Sequence, residues 1–177
     1  MKPLRFLLSL GLAAAFLASL VGVPLSSPAE AAVSSSSGVV IAEVYGGGGN
    51  AGAYWKNDFI TLFNAGTAAV DLSTWSVQYA SAAGTTWSKT NLTGSIGPGQ
   101  FYLVQEAAGT NTAATPLPTP DVTGTIAMGY SAGKVALVRN QTTLLADFLG
   151  LPYGDIEEFV GYGTASIYEG SAPAPVL

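Results

Sequence analysis

From Val39 onward, apolar and polar positions alternate in short runs separated by glycine, proline and asparagine. Val39–Tyr45 (VVIAEVY) is rich in β-branched residues and holds one charge, Glu43. Asp58–Asn64 (DFITLFN) puts Phe59, Thr61 and Phe63 on one side and Ile60 and Leu62 on the other, as a period of two requires. Trp75, Val77 and Tyr79 alternate with Ser76, Gln78 and Ala80, the pattern of a half-buried strand. Thr85–Thr90 and Asn91–Ile96 are short and weakly patterned, and they end at the turn Gly97-Pro98-Gly99. Phe101–Gln105 (FYLVQ) is clear, and a polar loop over 107–120 carries Pro116, Pro118 and Pro120. Lys134–Arg139 (KVALVR), a turn around Asn140, Thr143–Phe148 (TLLADF) and Ile156–Tyr162 (IEEFVGY) complete the series. Strands spaced at intervals of about ten residues, with no helical stripe, predict an all-β sandwich. Trp75 is placed to be its core tryptophan, without a disulfide beside it.

The first residues follow a different logic. Met1, Lys2 and Arg5 make a basic start, an apolar run continues from Phe6 to Val23, and Ala29-Glu30-Ala31 fits a small-residue cleavage site. Residues 1–31 are therefore expected to be a cleavable signal peptide, with Ala32 as the new N-terminus. Pro24 and Pro28 and the absence of a basic stop-transfer cluster argue against a retained anchor. The expected destination is the periplasm or the exterior, with no membrane association after signal removal. Residues 32–38 (AVSSSSG) read as a flexible leader, 39–170 as one β domain, and 171–177 as a stiff Ala/Pro linker or tail.

Composition narrows the chemistry. Among 177 residues there is no cysteine and no histidine. That excludes disulfides, thiolate zinc sites, cysteine nucleophiles and every mechanism that needs an imidazole base. Charged residues are 10% of the chain, against roughly 25% in an average globular domain. Beyond the signal peptide only Lys56, Lys89, Lys134 and Arg139 are basic, scattered among ten acidic residues. The clustered cations that nucleic-acid binding draws on are absent, which argues against such a partner for this chain alone.

The glycine run Gly46–Gly49, continued by Asn50, Ala51 and Gly52, matches neither a dinucleotide fingerprint nor a P-loop, because it leads into a strand. It reads as a mobile loop between two strands. Its aromatic end, Tyr54, Trp55 and Lys56, is the candidate contact site for a protein or cell-surface partner. Glu43, Asp58 and Asp71, with Asn50, Asn57 and Asn64, offer the oxygen donors that calcium takes in extracellular modules. Without EF-hand spacing, capping of loop amides is the commoner use of such residues. Asp155, Glu157 and Glu158 read as a solvated acidic edge that discourages strand aggregation. No cofactor site is expected. A paired-carboxylate hydrolase is the remote alternative, since its two acids would have to converge in a cleft.

The stretch VVIAEVYGGGGNAGAYWKNDFITLFNAGTAAVDLSTWSVQYASAAGTTW resembles the bacterial lamin-tail domain, the immunoglobulin-like module first described in nuclear lamins. The likeness continues through LTGSIGPGQFYLVQ, PLPTPDVTGTIAM, AGKVALV and FVGYGTASIYEGSAPAP. It implies an immunoglobulin-like β-sandwich. Thr61 stands where that subfamily generally carries glutamate. The resemblance also implies a context, because such modules occur at the N-terminus of secreted nucleases and phosphatases of the endonuclease/exonuclease/phosphatase type. Two expectations follow. One is a secreted, non-catalytic module for binding, scaffolding or targeting. The other is the N-terminal portion of an extracellular Mg-dependent nuclease without its histidine-bearing catalytic domain.

Overall fold

The computed structural model describes residues 37–145 and 154–176. The expected signal peptide 1–31, most of the leader and residues 146–148 of the expected strand Thr143–Phe148 lie outside them. Among the described residues there is no helix, and ten strands form. They are β1 (Val39–Tyr45), β2 (Asn57–Asn64), β3 (Val70–Asp71), β4 (Ser76–Ser81) and β5 (Ser88–Asn91), then β6 (Ser95–Ile96), β7 (Phe101–Ala108), β8 (Val122–Thr123), β9 (Gly133–Val138) and β10 (Ile156–Tyr162). The first sheet has the order β1-β2-β7-β8 and the second β10-β9-β4-β5, while β3 and β6 make a two-residue ribbon. Every pairing between these strands is antiparallel except β7 with β8.

The period-two pattern explains how the layers close. Ile60 and Leu62 of β2 and Tyr102 and Val104 of β7 face Val77 and Tyr79 of β4 and Val135 and Leu137 of β9 in one buried cluster. Trp75 joins that cluster, as do Leu72 and Leu92 from the connections and Ile96 of β6. Burying each aliphatic side chain contributes about 1.5–3 kcal/mol, so this interior is the main stabilising feature. The architecture is the two-layer all-β sandwich, consistent with an immunoglobulin-like arrangement.

The second sheet departs from a half-buried pattern. Ser76 and Gln78 of β4 are fully buried, because chain folds over that outer face. Ala80, Trp87, Ala136, Val138, Leu144, Ile156 and Phe159 form a second buried cluster there, with Ile167 against it. Gln78 secures the cover. Its Nε2 donates to the Thr142 carbonyl at 2.8 Å, and its Oε1 accepts the Leu144 amide at 2.8 Å. Ser76 Oγ donates to the Asn140 carbonyl at 2.7 Å. Residues 143–145 therefore are not the start of a strand: the Leu144 amide and the preceding Thr142 carbonyl are taken by the Gln78 side chain instead of a ladder.

The acidic edge is also corrected. Glu157 is the extra residue in a bulge between Ile156 and Glu158, and it is 1% exposed. A bulge re-aims the side chain it carries. Here the carboxylate accepts the Ser37 amide and hydroxyl at 2.6 and 2.7 Å, and Arg139 lies 3.7 Å away. Finally, the Ala/Pro tail is bonded to the sandwich. Ala174 pairs in parallel with Tyr162, donating to the Gly161 carbonyl and accepting the Gly163 amide at 2.8 and 2.9 Å.

Candidate partner-contact site

The glycine run is packed against neighbouring backbone at the places where a loop would otherwise move. A Cβ on Gly48 would lie 2.0 Å from the Asn57 carbonyl carbon, and one on Gly49 2.6 Å from Gly109 Cα. Only glycine permits such close backbone approach. Gly48 donates its amide to Asp58 Oδ1 at 2.6 Å, Gly47 to the Met128 carbonyl at 3.2 Å and Gly49 to the Trp55 carbonyl at 2.8 Å. The Tyr54–Lys56 segment is then held on its other side. Thr115 donates to the Tyr54 carbonyl at 2.8 Å, Lys56 to the Thr115 carbonyl at 2.9 Å and Gly109 to the Lys56 carbonyl at 3.0 Å. The expected mobile loop is thus a braced platform.

On that platform the three candidate residues separate. Trp55 is half-buried and meets Phe59 edge-on, with centroids 6.5 Å apart. Tyr54 stands against Trp55 at 4.8 Å and is 66% exposed, and Lys56 is exposed beside it. Phe59, itself buried, is also stacked on Tyr45, with centroids 5.1 Å apart. The result is a continuous aromatic row, Tyr45–Phe59–Trp55–Tyr54, on the outer face of the first sheet.

The same face carries a second pair that no sequence motif singles out. Phe63 and Phe101 are cross-strand partners with centroids 4.8 Å apart, and Phe101 is 66% exposed. The signal was present in DFITLFN, where both sides of the strand are apolar. In a sandwich only one of them can face the interior. Between the two aromatic groups lies the row Glu43, Thr61 and Leu103. Glu43 is the one charged residue of that row.

The acidic candidates for calcium are engaged in other bonds. Asp58 gives one oxygen to Gly48 and the other to the Met128 amide at 2.6 Å. Burial raises its pKa against the downward pull of the Met128, Gly48 and Gly47 amides. Asp71 caps a turn by accepting the Ser73 amide at 2.9 Å, which holds its carboxyl below the usual range. Among the described residues no three Asp or Glu side chains group to hold a metal ion. Glu106, 1% exposed on β7, accepts the Ile126 amide at 2.8 Å, and burial raises its pKa.

The basic residues are dispersed in the structure as in the sequence. Lys134 is 2% exposed, Arg139 pairs with Glu157, and Lys89 donates to Asn91 Oδ1 and to the Gln141 carbonyl.

Comparison with curated proteins yields no significant match. The lamin tail domain profile matches residues 32–151 as a single module, and no catalytic domain is shown. That match spans most of the sequence and agrees with the two packed sheets: the chain belongs to the lamin tail domain family.

Proposed function

We propose that this chain is an exported, non-catalytic module that binds a protein or cell-surface component through the aromatic outer face of its first sheet. The observation that carries the reading is an asymmetry. The outer face of the second sheet is sealed by its own buried cluster, whereas that of the first leaves Tyr54 and Phe101 each 66% exposed. Exposed aromatics on rigid backbone suit recognition, since they offer large contact area and little conformational freedom is lost on binding. The braced glycine platform supports Tyr54 in that role. Export rests on the basic start, the apolar run and the Ala29–Ala31 cleavage pattern. The scarcity of free cations supports a partner other than nucleic acid.

The test is capture from culture supernatant and cell-envelope extracts by the purified chain starting at Ala32. Tyr54→Ala, Lys56→Ala and Phe101→Ala serve as variants whose folding is confirmed by circular dichroism. A retained species that is lost with Tyr54→Ala or Phe101→Ala supports the reading. An identical catch with all three variants removes this face as the contact site. Turnover of a phosphodiester by the homogeneous protein with Mg²⁺ would remove the non-catalytic assignment.

A further inference from the structure

Between the outermost strands of the two sheets, β1 and β10, lies a cavity of about 290 Å³. It is lined by the unbroken run Ile41–Gly46 of β1 and its continuation, by Tyr130, by Val160 and Tyr162 of β10, and by the tail residues Ala174–Val176. Successive residues of a strand point to opposite faces. A cavity lined by all of them in turn therefore runs along the edge of β1 rather than over one face. Among the described residues β1 pairs only with β2, and Ala42 is bulged out of that pairing. The β10 side is already partly occupied, because Ala174 pairs in parallel with Tyr162. An extended, proline-bearing backbone thus lies in this groove on one side, and no described residue pairs with β1 on the other.

We propose that the β1 edge takes an extended peptide from a partner protein as an added strand, with apolar side chains alternating toward the cavity and a lysine or arginine set against Glu43. Added strands draw affinity from main-chain hydrogen bonds and specificity from alternate side chains. Ile41, Val44, Tyr162 and Ala174 supply the apolar wall. Glu43 is exposed, and among the described residues it is the one charged residue in the lining. Among the described residues no cation sits in that lining, so a basic residue on the incoming strand is the complementary choice. Tyr54 and Phe101 do not line this groove, so variants there leave its lining intact, although Glu43 and Tyr45 belong both to it and to the aromatic outer face.

The probes are labelled peptides of about seven residues, a length that covers the lined stretch of β1. One alternates valine with threonine and holds a central lysine; a second has glutamate in place of lysine; a third repeats the first with alternate backbone amides N-methylated. Fluorescence anisotropy at low ionic strength should show saturable binding of the lysine peptide. The glutamate peptide should bind about five- to tenfold more weakly, a preference that Glu43→Lys reverses. N-methylation should abolish binding, and amide exchange at 41–44 should slow in the complex. The proposal is overturned by no saturable binding at millimolar lysine peptide, or by binding indifferent to Glu43→Lys or to N-methylation. It is equally overturned if the protein alone is a dimer that falls to monomer when residues 171–177 are removed, since the groove would then serve tail exchange between two copies.

Discussion

Asp58 receives the amide of Met128 at 2.6 Å, a bond between residues 70 positions apart in the chain. Its other oxygen holds Gly48, so one carboxylate ties the start of β2 to both the glycine run and the 124–132 connection. An Asp58→Asn side chain keeps one acceptor but turns an NH₂ group toward one of the two amide donors. That leaves a buried N–H without its partner, at a cost of about 1–3 kcal/mol. Asp58→Ala removes both acceptors and is expected to lose more. Urea unfolding should show lower midpoints in the order wild type, Asn, Ala, with the slope unchanged. An Asn variant as stable as wild type would mean that water or a shifted backbone satisfies these amides.

The glycines of the platform are not equivalent. Gly48→Ala places a Cβ 2.0 Å from the Asn57 carbonyl carbon and 2.4 Å from the Asp58 nitrogen, both backbone atoms with no rotamer to change. Forcing backbone apart there is expected to cost about 3 kcal/mol, at the upper end of overpacking. Gly52 has φ +83° and no atom within 4 Å of its would-be Cβ. Its Ala variant meets only the left-handed backbone penalty, about 1 kcal/mol. Thermal unfolding should separate the two, and equal losses would contradict the rigid platform.

Glu158 gives the protein an uncommon pH profile. Burial, then the neighbouring Glu169 and Glu157, push its carboxyl up to about 7 from an ordinary 4.5. Between these values the folded chain binds more protons than the unfolded one, so stability falls as pH rises. The contribution is fully present below about pH 4.5 and is lost as pH passes through about 7. Asp58 and Glu106, both raised by burial, act with the same sign. Asp71 acts with the opposite sign but only at lower pH, since its carboxyl is held below the usual range. The melting temperature should therefore decline from about pH 5 to 8, and Glu158→Gln should flatten that decline. A wild-type profile level across the window, or one unchanged by the Gln variant, would contradict the assignment.

Strand positions were legible wherever period-two patterning was strong, as in DFITLFN and FYLVQ. What the pattern could not reveal was which outer face would be covered. Ser76 and Gln78 are polar, and polarity ordinarily marks solvent. Their burial depends on a segment more than sixty residues later, whose backbone they satisfy. Glu157 misled in the same way, because a bulge rotates it out of the alternation and its partner Ser37 is 120 residues distant. At the candidate site, Tyr54–Lys56 was conspicuous as an aromatic pair after glycines. Tyr45 and Phe59 were hidden in strand patterns and became part of the site only through pairing register.

Lys134 offers the last discrimination. Its stem lies in the layer over the second sheet, with Nζ 5.8 Å from the Trp87 ring centroid. Nζ also donates to the Gly84 carbonyl at 2.7 Å, and burial lowers its pKa. Two features are combined here, a long apolar stem and a desolvated charge. Replacing a buried ion with an apolar chain of similar volume is often close to neutral, whereas truncating a packed chain leaves a cavity. Lys134→Met should therefore change stability by less than about 1 kcal/mol, while Lys134→Ala should lose about 2 kcal/mol or more. Trp87 sits beside the same stem, so the Ala variant alone should shift tryptophan emission to the red as water enters. If Met proves as damaging as Ala, the ammonium group's bond to Gly84, and not the packing of its stem, is what holds the cover on this sheet.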